Sequence, residues 1–191
     1  MLIYIHGFNS APASFKAKLL GARLAALGRA DEFTAPALPH GPAAATAMLA
    51  DIVRVHPQAL LVGSSLGGYY ATWLAERFCL RAVLINPAVR PYALLGGLIG
   101  RQKNLYTGEE YDFTARHVEE LRALEVGSIT PERYLLIVAS GDEVLDHRQA
   151  IERYRGARQI VIDGGDHGLS EFGEHLDAVL DFYAGAGGAQ R

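Results

Sequence analysis

The sequence holds a single cysteine, Cys79, among 191 residues. No intrachain disulfide can form, and no Cys/His spacing of the zinc-binding kind occurs, so no structural metal is expected. Cys79 ends an apolar helical stretch and reads as a buried structural thiol. There is no run of about eighteen apolar residues, the length that a membrane-crossing helix requires. The leading Met1-Leu2-Ile3-Tyr4-Ile5-His6-Gly7 lacks a basic region and reads as a strand rather than a signal peptide, which points to the cytoplasm. An excess of one charge is also missing. Eighteen basic residues face 21 acidic ones for a net charge of −3. That balance argues against nucleic acid or an anionic membrane surface as the main partner. No Gly-Lys-Ser/Thr is present for a P-loop, and Gly63-Ser64-Ser65-Leu66-Gly67-Gly68 lacks the dinucleotide-binding spacing. No nucleotide cofactor is implied.

What is present suits one globular domain, with half the residues apolar. Apolar runs rich in β-branched residues lie at Leu2–Ile5, Glu32–Thr34, Ala59–Val62, Ala82–Ile85, Tyr134–Ala139 and Gln159–Ile162. Helical periodicity separates most of them, at Ser14–Leu27 (stopped by Gly28), Ala43–Val55, Leu66–Phe78, His147–Tyr154 and Glu171–Ala184. Continuously apolar strands alternating with helices predict an α/β fold, a parallel sheet covered on both faces. Residues 1–184 form the domain, and 185–191 read as a flexible tail. Roughly fifty residues, Asn86 to Glu132, separate the fourth strand from the fifth, far more than a simple crossover needs. This stretch, with a helix expected at Asp112–Leu124, reads as a cap or lid inserted over the carboxyl edge of the sheet; a crossover helix with an irregular lead-in is the alternative.

The most informative feature is Gly63-Ser64-Ser65-Leu66-Gly67, set between an apolar strand and a helix. Gly-x-Ser-x-Gly in that setting is the signature of a nucleophile elbow. Only Ser65 has glycine two positions before and two after, where a Cβ would crowd the turn. A serine hydroxyl needs a base to attack at neutral pH, normally a histidine oriented by a carboxylate. The chain order Ser, acid, His of α/β-hydrolases is available here. Asp142 and Asp146 follow the fifth strand, and His167 follows the sixth in the glycine-rich Asp163-Gly164-Gly165-Asp166-His167-Gly168. Of seven histidines, His167 alone stands just past the last strand, whereas His117, His147 and His175 fall on helices as solvated or capping residues. Asp142, first after its strand, is preferred over Asp146 as the acid. Oxyanion donors are expected from the backbone N–H groups of Leu66 and of Phe8, in the loop His6-Gly7-Phe8-Asn9-Ser10.

These blocks, together with Ile85-Asn86-Pro87-Ala88-Val89-Arg90-Pro91, Tyr106-Thr107-Gly108 and Gly141-Asp142-Glu143-Val144-Leu145-Asp146, resemble the YqiA-like esterases, small bacterial α/β-hydrolases. The resemblance runs over nearly the whole chain, with Ala35-Pro36-Ala37-Leu38-Pro39-His40 departing most from the family's pattern. It implies a cofactor-free carboxylesterase acting on simple acyl esters or thioesters, with Ser65, Asp142 and His167 as catalytic residues. The first strand begins at residue 2, so a minimal hydrolase sheet is expected: six parallel strands in the order 2-1-3-4-5-6, the elbow strand central. A serine esterase working through an acyl-enzyme is the leading reading. An acyl-CoA thioesterase, or a non-catalytic binding protein on the same fold, are the alternatives.

Overall fold

The computed structural model describes residues 1–185; most of the expected 185–191 tail lies outside the described residues. In chain order the elements are β1 (Leu2–Ile5), α1 (Phe15–Ala26), β2 (Phe33–Thr34), α2 (Pro42–Val55), β3 (Leu60–Ser64), α3 (Leu66–Phe78) and β4 (Arg81–Ile85). There follow α4 (Pro91–Leu95), β5 (Gly100–Lys103), β6 (Glu110–Phe113), α5 (Ala115–Ala123), β7 (Tyr134–Ala139), α6 (His147–Arg153), β8 (Arg158–Ile162) and α7 (Leu176–Ala184). Six strands form one sheet in the order β2-β1-β3-β4-β7-β8, every pairing parallel. The remaining two, β5 and β6, form an antiparallel hairpin of their own.

The sheet order follows from burial. Strands β1, β3 and β7 are buried at every position, whereas β2 and β8, on the two edges, are partly exposed. Alternate side chains on each strand serve opposite faces. Ile3, Ile5, Leu61, Leu84, Leu136 and Val138 pack against α2, α3, α5 and α6 through Leu49, Val53, Leu74, Leu121 and Tyr154. Leu2, Tyr4, Val62, Val83, Ile85 and Ile137 pack against α1 and α7 through Leu20, Leu24, Val179 and Phe182. Each fully buried aliphatic side chain contributes about 1.5–3 kcal/mol to stability before the entropy of ordering it is subtracted.

Helix α1 ends as the sequence suggests: Leu27 is its C-cap and Gly28 takes a positive φ of 72°. Two other readings change. Cys79 is exposed rather than buried, because it stands at the C-cap of α3 with φ 55°, past the last turn that faces the core. The helix expected over Asp112–Leu124 starts only at Ala115. Asp112 and Phe113 pair across the hairpin with Arg101 and Gly100, and Thr114 with His117 forms a capping box that starts α5 afresh.

The segment 86–132 therefore holds several pieces. Helix α5 joins the helical layer beside α2 and α4, and Leu95 is buried in the core while Leu94, Leu98 and Ile99 are 46%, 44% and 51% exposed. On its far side Glu76 of α3 fixes the return into β7. Its carboxylate accepts from the Thr130 N–H and hydroxyl, from Arg133 and from the Tyr134 hydroxyl. Among the described residues no helix is long and apolar enough to cross a membrane.

Candidate active site

Strand β3 runs straight into α3 through Ser65, whose backbone is held at φ 54°, ψ −120°. A non-glycine residue with positive φ is strained, and it persists only where its surroundings dictate it. Those surroundings are backbone. A Cβ on Gly63 would lie 2.4 Å from the Gly67 carbonyl oxygen, and one on Gly67 would lie 2.0 Å from that of Ile5. The Ser65 N–H donates to the Ile85 carbonyl and its own carbonyl accepts from Ala88, so β4 and its following loop clamp the turn. Ser65 is half-exposed as a result, while Ser64 is buried.

His167 reaches this serine from the loop after β8. Its Nε2 lies 3.1 Å from Ser65 Oγ and its Nδ1 lies 2.8 Å from Asp142 Oδ2. The Asp142 side chain is 1% exposed. Burial opposes its ionisation, but hydrogen bonds from His167 and from the Leu145 and Val144 N–H groups outweigh that and hold its carboxyl below the ordinary carboxylate value. Asp146 is occupied elsewhere. It caps α6 through the Arg148 N–H and pairs with the Arg148 guanidinium, which brings it down to about 2. Of the two aspartates the sequence left open, Asp142 is the one beside His167.

Residues that sequence reading passed over hold the histidine loop. Asn86, buried at the end of β4, donates from Nδ2 to the carbonyls of Asp166 and His167 and accepts the Ala139 N–H at Oδ1. Glu143 accepts the His167 N–H at 3.0 Å. Lys16, in the first turn of α1, donates from Nζ to the Gly168 carbonyl. Burial brings the Lys16 ammonium down to about 8, against the pull of Asp166 and Asp142. No acidic residue accompanies it in that turn, so it stands at the positive end of a helix dipole.

The loop after β1 lies against the elbow: a Cβ on Gly7 would stand 3.2 Å from Ser65 Cβ. The backbone N–H groups of Phe8 and Leu66 have no acceptor among the described residues, and Leu66 opens α3, where such donors are intrinsically free. His6 is buried, which pushes its imidazole down from the ordinary value and keeps it neutral. Nδ1 then donates to the Gly7 carbonyl at 3.1 Å and Nε2 accepts the Leu38 N–H. The β5–β6 hairpin braces the other side. Asn9 joins Gln102 and Tyr111 at 3.1 and 2.6 Å, Asn104 donates to the Ser10 carbonyl, and the Phe8 ring packs edge-on against Phe113. Tyr111 carries His40 stacked on it at 3.7 Å between ring centres.

A parallel sheet ordered around a central strand, with a serine at its strained strand-to-helix turn and a histidine and an aspartate arriving from the loops of its last two strands, defines a protein of the α/β-hydrolase fold. Solved structures agree. The chain superposes on alpha/beta hydrolase domain-containing protein 10 from mouse with a TM-score of 0.71 at 18% identity, covering 94% of this chain and 89% of that one. On Est1E from Butyrivibrio proteoclasticus, solved with ferulic acid bound, the TM-score is 0.66 at 15% identity, over 96% and 89% of the two chains. The particular family comes from sequence. Residues 1–184 match the family described as "Uncharacterised protein family (UPF0227)", to which this chain belongs. The UPF0227 protein of Vibrio parahaemolyticus is 26% identical over 189 residues, covering 95% of this chain and 98% of the relative. This is the family that the YqiA-like sequence blocks pointed to.

Proposed function

We propose that this protein is a serine hydrolase of small carboxylic esters working through an acyl-enzyme. The single observation that carries the reading is the hydrogen-bonded chain Asp142–His167–Ser65, with links of 2.8 and 3.1 Å, ending at a serine held in a strained turn.

In this reading His167 Nε2 takes the proton of Ser65 as Oγ attacks the ester carbonyl. Asp142 accepts from Nδ1, which fixes the tautomer and stabilises the imidazolium that forms. The oxyanion of the tetrahedral intermediate is received by the Phe8 and Leu66 N–H groups, both without an intramolecular acceptor among the described residues. Collapse of the intermediate breaks the bond to the alcohol, which leaves with the proton from His167. Water, deprotonated by the same imidazole, then releases the acid and restores Ser65. Est1E, whose structure holds ferulic acid, supports an ester substrate by likeness of fold alone.

A fluorophosphonate probe tests the proposal. Labelling should map to Ser65, and Ser65→Ala should abolish it while lowering kcat on a simple aryl ester by about 10³-fold or more. Ser64→Ala, buried beneath the elbow, should keep measurable turnover. Absence of labelling together with absence of turnover on a panel of acyl esters would leave a binding protein on a hydrolase fold.

A further inference from the structure

Between the loop that follows β4 and the loop that follows β7 lies a groove of about 380 Å³, lined on its apolar part by Pro87, Ala88, Pro91, Leu94, Val144 and Leu145. Both walls are tied to the residues of the Asp142–His167–Ser65 chain. Ala88 donates its N–H to the Ser65 carbonyl at 3.1 Å, and Leu145 donates its own to Asp142 at 2.8 Å. Past Val89 the groove opens into a hollow of about 500 Å³ bordered by Arg90, Arg148, Gln149, Glu152 and Arg153. The groove is apolar along Pro87, Ala88, Leu94, Val144 and Leu145, and the hollow carries three guanidinium groups.

The acids at that end are already engaged. Asp146 accepts from the Arg148 N–H, Nε and Nη2, and Glu152 is paired with Arg155. Arg153 donates to the Gly127 and Val126 carbonyls. Neither the Arg90 guanidinium nor the Gln149 side-chain amide has a partner among the described residues, and both line the groove and the hollow alike. In a chain of net charge −3 this is an unneutralised cation that lines both the groove and the hollow.

We propose that this groove is a subsite for an anionic group carried by the ester, a carboxylate or phosphate, held by Arg90 with Gln149 as second donor. The proposal rests on the ester-hydrolase reading for the identity of the reaction. The planar guanidinium fork suits both oxyanions bidentately. Arg90 lies two residues beyond Ala88, at most about 7 Å along the chain from the residue bonded to the Ser65 carbonyl, so the cation stands on the same loop that clamps the elbow.

The test compares kcat/KM on matched esters. On the acyl side these are p-nitrophenyl butyrate and the p-nitrophenyl half-ester of glutarate; on the alcohol side, ethyl butyrate and the butyryl ester of glycolate. One arm should favour the anionic member about tenfold or more, and that arm identifies which half of the ester enters the groove. Arg90→Gln should cut the anionic-to-neutral ratio about tenfold, Arg90→Lys should fall between, and Arg54→Gln, on α2 and paired with Asp51, should leave the ratio alone. No preference in either arm, or an equal fall for both esters in Arg90→Gln, overturns the subsite while leaving the hydrolase intact. If instead no ester turns over and Ser65 does not label, the hydrolase reading fails and calorimetric titration with glutarate decides the subsite. Binding to the wild type that weakens at least fivefold in Arg90→Gln sustains it, and no binding or unchanged binding overturns it.

Discussion

The side-chain amide of Asn86 donates to the main-chain carbonyl of His167 at 3.0 Å, binding the end of β4 to the loop that carries the histidine. The same amide group reaches Asp166, and its oxygen takes the N–H of Ala139 at the end of β7. One buried residue thus sets the height of the histidine above two neighbouring strands. Asn86→Asp exchanges two donors for a carboxylate facing two carbonyl oxygens. We expect kcat to fall by about 10- to 100-fold with a smaller change in KM, and stability to drop by about 1–3 kcal/mol for the unmet groups. Steady-state kinetics with a denaturant melt check this; unchanged kcat at reduced stability would make Asn86 a packing residue only.

Asp142 and Asp146 are separated by what already holds them. Asp142 is buried against His167, whereas Asp146 is bonded to Arg148 and starts α6. Asp142→Asn removes the charge facing the imidazolium and disfavours the productive tautomer, so it should lower kcat by about 10³–10⁴-fold with the fold retained. Asp146→Asn keeps a capping oxygen and should lose at most about tenfold. The reverse ranking in two folded variants would move the orienting role to Asp146.

Lys16 supplies a pH dependence with two opposite signs. Its ammonium holds the Gly168 carbonyl, one residue from His167, and burial sets it at about 8, below its ordinary value of 10.5. Asp166 and Asp142 are the charged groups acting on it. Above pH 8 the charge is lost and the charge-assisted hydrogen bond weakens, so kcat/KM should decline. Stability moves the other way. Because the folded-state value is depressed, the unfolded chain binds the proton more tightly between about 8 and 10.5, and this group's contribution to stability rises with pH across that window. Lys16→Arg, charged throughout, should push the alkaline decline to higher pH. An unaltered profile in Lys16→Arg would assign the decline to another group.

The layout of the sheet could be read from the chain because continuous apolar runs and the Gly28 stop are local signals. The strand-end positions of Ser65, Asp142 and His167 were legible for the same reason. The hairpin was not. Arg101-Gln102-Lys103 and Glu110-Tyr111-Asp112 form a two-stranded ribbon exposed at most positions, without the apolar alternation of a half-buried strand. Asn86 and Lys16 escaped notice because their contacts join residues 81 and 152 apart, which no local pattern records. Cys79 misled because an apolar helix suggested burial, and the left-handed cap that ends α3 turns that position outward.

Neighbouring leucines of α4 separate the groove from the core. Leu95 is 4% exposed and packs in the cluster under α3 and α5, whereas Leu94 is 46% exposed and lines the groove beside Ala88 and Leu145. The apolar residues Leu94, Leu95, Leu98 and Ile99 thus divide, with Leu95 alone committed to the core. We propose that the exposed members, Leu94 first, form the lid over the substrate. Leu95→Ala removes a buried side chain and should cost about 2–5 kcal/mol, seen as a lower melting temperature. Leu94→Ala should change stability by less than about 1 kcal/mol, because its side chain is half in solvent already. On p-nitrophenyl esters of graded length it should move the optimum toward longer or bulkier acyl groups, as the groove widens where the chain lies. A length profile that matches the wild type in Leu94→Ala would place the acyl chain elsewhere and leave α4 a purely structural element.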